Sequence, residues 1–190
     1  MSELSPENNI GAFMIKTLSS TVKYKNRWIT VHEDIIERQS GVKGLYGIVE
    51  KVDFAAILAI EAGYIYLVEQ YRYPVKQRSL EIPMGSWTEQ PNADPTKLAL
   101  GELQEETGYK AGRIEKIGFH HVDNGGSTQG CHVFLATDLT FVGKNLDAEE
   151  EDLTSIRLSL PDFEKKIADG LILDACTIAC YGLAKIKALI

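Results

Sequence analysis

A chain of 190 residues with 44% apolar and 25% charged residues suits one domain with a sizeable core, ordinary for a soluble globular protein. Its net charge of −7 argues against a nucleic-acid surface, which should be basic, but not against a nucleotide substrate. Three cysteines without framework spacing fit a reducing compartment, no apolar run approaches the roughly 18 residues of a membrane span, and residues 1–10 lack signal-peptide shape, so the expected location is cytoplasmic.

Residues 1–9 are polar and expected to fray. Residues 17–24 and 28–36 are rich in β-branched side chains and read as two strands joined at Lys25-Asn26-Arg27. A turn-rich loop covers residues 39–44, and strand character resumes over 45–52. Residues 1–44 are thus expected to form a small appended antiparallel sheet, with residues 45–190 as the main domain. Residues 54–60 are nearly all apolar, as a central strand buried on both faces should be. After the turn Glu61-Ala62-Gly63, residues 64–71 return as its hairpin partner, and Arg72 ends that strand just before Tyr73-Pro74.

The most informative stretch runs from Gly85 to Tyr109, after Glu81-Ile82-Pro83-Met84. A helix there has both ends written in: Asp94 as N-cap, Pro95 at the first helical position, and Gly108 for the left-handed stop. Glu102, Glu105 and Glu106 are spaced i, i+3, i+4 and share one arc, while Ala99, Leu103 and Leu100 fill the next and can face a core. Like charges so placed repel by a few tenths of a kcal/mol per pair. A hard divalent cation removes that repulsion, because Mg²⁺ takes oxygen ligands and keeps waters and substrate phosphates in its shell. The ordinary alternative is a solvated acidic face.

The longer pattern resembles the Nudix box, G-x5-E-x7-R-E-U-x-E-E-x-G-U with U apolar. Glu102-Leu103-Gln104-Glu105-Glu106-Thr107-Gly108-Tyr109 matches the metal-binding half at every fixed position, and Gly85 matches the opening glycine with a gap two residues too long. Gly101 stands at the motif's arginine and Ala93 at its early glutamate. Nothing in the sequence gives a physical reason for Gly101, where glycine costs a helix about 1 kcal/mol.

Beyond the helix, residues 112–122 should be a strand, 123–130 (DNGGSTQG) a flexible loop, and 131–136 a strong strand. His120 and His121 are adjacent on a strand, face opposite sides and make a poor metal pair, so structural roles are expected for them and for His132. The acidic run 147–152 suits either a solvated loop or a carboxylate source for chemistry. Residues 153–160 read as a strand, 161–168 as a helix ended by Gly170, and 177–189 as an amphipathic helix. Cys176 and Cys180, i and i+4 beside Ala175, Ile178 and Ala179, are expected to pack in the core.

The Nudix resemblance spans residues 49–189 and implies an α/β/α sandwich with a mixed sheet. The blocks VEQYRYP and EIPMG are similar to those of the ADP-ribose pyrophosphatase branch. That branch carries an N-terminal sheet exchanged across a homodimer. The resemblance implies that Glu102, Glu105, Glu106 and the Met84 carbonyl hold Mg²⁺ or Mn²⁺, and that Arg72 and Glu81 line the substrate cleft. It further implies that Glu149 or Glu151 acts as the base. Trp28 sits where the branch often stacks an aromatic on the base, although a packed core tryptophan fits equally, as a surface ion pair fits Arg72. Gln129 replaces a loop glutamate of that branch and can only hydrogen-bond. The implied activity is metal-dependent hydrolysis of the pyrophosphate of ADP-ribose or a related nucleoside diphosphate sugar, with no nucleic-acid or membrane partner. Two alternatives stay open: another nucleoside diphosphate derivative such as a dinucleotide or coenzyme A, suggested by the insertion carrying Trp87, and a non-catalytic nucleotide-sensing module, suggested by Gly101 and Ala93.

Overall fold

A computed structural model describes residues 15–144 and 152–190, and the chain divides into two compact units. In the first, β1 (Lys16–Lys25), β2 (Thr30–Glu37) and β3 (Lys43–Glu50) form an antiparallel sheet in that order. Asn26 ties the first hairpin, its side-chain oxygen accepting the N–H groups of Trp28 and Ile29. The first unit runs to Lys51 and not to residue 44, because β3 pairs with β2 along its whole length, from Thr30 with Glu50 to Glu37 with Lys43. It also includes Gly125–Thr128, from the segment expected to be a flexible loop. Backbone bonds hold that segment: Val49 N–H donates to the Gly126 carbonyl at 2.8 Å and Thr128 N–H to the Val49 carbonyl at 3.1 Å.

The second unit contains β4 (Phe54–Glu61), β5 (Tyr64–Arg72), β6 (Gln77–Glu81), β7 (Met84–Gly85), α1 (Pro95–Thr107), β8 (Tyr109–His121), β9 (Gly130–Phe141), β10 (Thr154–Ser159), α2 (Leu160–Ala168) and α3 (Ala175–Ile186). The main sheet runs β10-β5-β4-β9-β8, with β6 on β5 and β7 on β4. Among the described residues of this sheet only β4 and β9 pair in parallel, so the sheet is mixed.

The apolar run of β4 follows from burial on both faces. Phe54, Ala56, Leu58 and Ile60 join a core with Phe163 of α2 and Cys180, Tyr181 and Ala184 of α3. Ala55, Ile57 and Ala59 join the opposite core with Leu98, Ala99 and Leu103 of α1. The result is the three-layer α/β/α arrangement expected. On α1 it is Leu98 that reaches the core, while Leu100 stays 37% exposed. Among the described residues no helix is long and apolar enough to cross a membrane.

β6 and β7, too short to show a period in the sequence, position the site. β4 and β5 pair only near their turn, from Ala59 with Tyr66 to Glu61 with Tyr64. Beyond it β5 takes β6 as partner, and β4 takes β7 through Ala55 with Gly85 and Ala56 with Met84. The segment between fills the gap, with Ile57 N–H donating to the Pro83 carbonyl at 2.9 Å. Ile82 N–H donates to the buried Thr177 hydroxyl at 3.0 Å, which fixes the start of α3 beside it.

Candidate active site

The acidic arc of α1 lies under β7. Asp94 caps the helix by accepting the Thr96 N–H at 2.8 Å, and Gly108 ends it at φ 80°. Between these caps Glu102 and Glu106 are 5% and 1% exposed, and Glu105 is half-buried. Removing a carboxylate from water costs several kcal/mol unless hydrogen bonds or opposite charge replace the hydration. Part of that replacement is backbone, since Met84 N–H donates to Glu106 Oε2 at 2.9 Å. Gly85 serves by close approach: a Cβ there would overlap the Glu102 carboxylate.

Met84 also lines a cleft of about 370 Å³, whose walls include Arg72, Glu81, Leu173, Asp174 and Ala175. That volume suits a small-molecule ligand. Arg72 and Glu81, brought together by the β5–β6 pairing, form a bidentate pair. Arg72 Nε donates to the two carboxylate oxygens at 2.9 and 3.2 Å, and Nη2 donates to Glu81 Oε2. Glu81 is 3% exposed, whereas the Arg72 side chain keeps 39% of its surface open, so the ion pair is part of the cleft wall. Burial alone would push the Glu81 carboxyl up, but hydrogen bonds and charge from Arg72 hold it below the usual range. The Glu81 hydrogen bond raises Arg72 against desolvation, aided by the charges of Glu81, Glu106 and Asp174. Asp174, the N-cap of α3, moves oppositely: burial raises it, Thr177 partly offsets this, and the Glu81 charge raises it further.

The remaining predicted residues fall in three places. Glu149 and Glu151 lie outside the described residues. Asp152, at the end of the same acidic run, accepts the Tyr71 N–H at 3.0 Å and Arg78 Nη1 at 3.1 Å, so the run ends against β5 and β6. Trp28, in the first unit, is 49% exposed with the Arg27 guanidinium 4.2 Å from its ring centroid, so it is not a packed core tryptophan. Gln129 donates from its side-chain amide to the Val52 carbonyl at 2.9 Å, a hydrogen-bonding role as expected.

Comparison with known proteins bears on both units. A family model described as the nucleoside diphosphate sugar hydrolase N-terminal domain matches residues 15–49. An ADP-ribose pyrophosphatase of Bacillus subtilis is 29% identical, over 90% of this chain and 93% of its own. A GDP-mannose pyrophosphatase of Yersinia enterocolitica is 27% identical over 93% and 97% of the two chains. A crystal structure of an ADP compounds hydrolase superposes with a TM-score of 0.81 at 19% identity, over 91% of this chain and 93% of that one. Along nearly its whole length the chain is thus similar to pyrophosphatases named for ADP-ribose and for GDP-mannose, and it shares the fold of an ADP compounds hydrolase.

One departure from the Nudix box, Gly101, has a packing cause. Trp87, carried by the insertion after Gly85, lays its indole across α1, and a Cβ at Gly101 would stand 2.6 Å from Trp87 Cζ2. Glycine at the arginine position of the Nudix box is therefore the surface on which Trp87 rests. Two cations the motif does not predict feel the Glu106 charge, Arg72 from the cleft and Lys144 beside the end of α1. Burial lowers Lys144 below its ordinary range, and Glu106 opposes that shift. Sequence signals for Lys144 are absent. Asp174 was findable as a helix N-cap, though not as part of a cleft.

Gly101→Ala should gain about 1 kcal/mol of helix propensity only where Trp87 has been removed. A double-mutant cycle with Trp87→Ala, read by urea unfolding, should show this coupling, and additive effects would rule out the contact. For Glu81, a lowered folded pKa means its contribution is complete above the unfolded value of about 4.3 and is lost as pH falls through the folded value. Glu81→Gln should be less stable by roughly 1–3 kcal/mol at neutral pH and lose less stability than wild type on acidification. Equal acid slopes for the two proteins would exclude this role.

Proposed function

We propose that this protein hydrolyses the pyrophosphate of ADP-ribose or a related nucleoside diphosphate sugar, giving a nucleoside monophosphate and a sugar phosphate. The observation that carries the reading is the burial of Glu102 and Glu106 under β7, beside a cleft that Met84 shares with Arg72 and Glu81. Relatives named as pyrophosphatases of ADP-ribose and of GDP-mannose support the same chemistry.

The donor set fits a hard divalent cation. Glu102, Glu105 and Glu106 offer carboxylate oxygens, the Met84 carbonyl is adjacent in sequence to Gly85, and the missing Cβ of Gly85 leaves room for the Glu102 carboxylate. These four residues would hold Mg²⁺ or Mn²⁺, which when bound neutralises charge on phosphate oxygens and acidifies water. Arg72, oriented by Glu81, clamps a phosphate or the terminal sugar with its open guanidinium face. Glu149 or Glu151 takes the proton of the attacking water, and Trp28 stacks on the base. Attack of that water on one phosphorus breaks the bridging P–O bond and leaves one phosphate on each product.

The homodimer is part of the proposal. On the first unit Val22, Tyr24, Val42 and Leu45 are 54%, 54%, 58% and 60% exposed, apolar surface that a second copy would cover. Light scattering should give twice the 21.1 kDa chain mass, and Val22→Asp with Leu45→Asp should yield monomers; a monomeric wild type rejects the dimer.

The activity test is chromatographic detection of nucleoside monophosphate from ADP-ribose and GDP-mannose with Mg²⁺. Glu106→Gln should lose about 100-fold or more in kcat, corresponding to several kcal/mol of transition-state stabilisation. Undiminished turnover in that variant would remove Glu106 from the site. No turnover of any nucleoside diphosphate sugar by wild type would remove the proposed reaction.

A further inference from the structure

On the far side of the sheet from α1, four side chains from three elements converge. Cys131 Sγ lies 3.6 Å from Cys176 Sγ, Cys176 Sγ lies 3.8 Å from Cys180 Sγ, and Cys180 Sγ lies 3.6 Å from His120 Nε2. All four ligand atoms lie within 4.8 Å of one another. A tetrahedron with Zn–S arms of about 2.3 Å has edges of about 3.8 Å, and an edge to an imidazole nitrogen at about 2.0–2.1 Å is nearer 3.6 Å. Three of the six edges match those of a closed zinc shell, and the other three lie within 4.8 Å.

We infer that His120, Cys131, Cys176 and Cys180 form a structural zinc site that pins α3 to the sheet. The fold builds the set deliberately from both sides. His120 and Cys131 are direct cross-strand partners on β8 and β9 and present to one face. Cys176 and Cys180 are i and i+4 on α3 and share one helix face. Gly118 lets the helix come close, since a Cβ there would overlap Leu183 of α3. Cys131 and Cys180 are fully buried in the apolar core, and Cys176 and His120 are half-buried. Thiolate and imidazole donors in a shell with all four places taken suit zinc, not the hard cations that carboxylates prefer.

A bound divalent cation would let the three thiols ionise together. Cys180 lies in the core and Cys176 packs against it, as expected from the sequence, and the cross-strand register adds His120 and Cys131 to them; His121 turns away, its ring edge-on to Phe119.

The site is independent of the reaction proposed above, and its test reads metal and thiols, not turnover. Full-length reduced protein from zinc-supplemented cells should carry one zinc per chain by elemental analysis, unmoved by excess Mg²⁺ and retained in Glu102→Gln/Glu106→Gln. Replacing zinc by Co²⁺ should produce thiolate-to-metal charge-transfer bands and the intense visible bands of a tetrahedral ion. Cys176→Ser, at the half-buried position, should weaken zinc binding at least about tenfold in a chelator competition. Should the variants fail to fold, alkylation of the wild type decides: its thiols should be protected until a chelator is added. Metal-free reduced protein with freely reacting thiols, a disulfide in place of metal, or zinc lost with the glutamates instead of the cysteines would overturn the inference.

Discussion

The burial of two carboxylates beneath a backbone turn is the constraint around which the second unit is built. Glu102 and Glu106 face inward from α1, where ionised side chains are costly unless hydrogen bonds and charge replace the hydration. The sheet meets that requirement by letting β4 and β5 part after a short pairing. β7 then fills the vacated edge of β4, bringing the Met84 N–H to Glu106 and the bare Cα of Gly85 to Glu102. Strand divergence, usually a loss of hydrogen bonds, here creates the place where a carboxylate helix and a ligand cleft share one residue.

Charge is arranged around that residue in pairs. Arg72 is committed to Glu81 by a fork of hydrogen bonds, yet its exposed face leaves it able to meet an anion. Lys144 and Arg72 both respond to Glu106, so positive charge reaches the site from elements on either side of the motif helix. The missing motif arginine is therefore not matched by a substitute at the same position. Trp87 occupies its space instead, and glycine at 101 follows from the width of an indole ring.

α3 joins this site to the cysteine–histidine cluster. Its first turn contributes Asp174 as cap and Ala175 to the cleft wall, receives Ile82 N–H on Thr177, and carries Cys176 on another face. Hard oxygen donors gather on one side of the sheet and soft sulfur donors on the other.

What the amino-acid sequence determined was whatever is encoded locally. β-branched runs placed β1 and β2, an apolar run and the turn after it placed β4 and β5, and Asp94, Pro95 and Gly108 placed α1. The spacing of Glu102, Glu105 and Glu106 named the acidic face because helix geometry converts spacing into direction. Only the tertiary structure decided the rest. β6 and β7 are too short to show a period, and β3 belongs to the first sheet because of its partner, not its composition. Gly101 made sense only when Trp87 was folded onto it. The cysteines and His120 are drawn together by a cross-strand register and a helix docking, and contacts made across such distances in the chain leave no pattern in the order of residues.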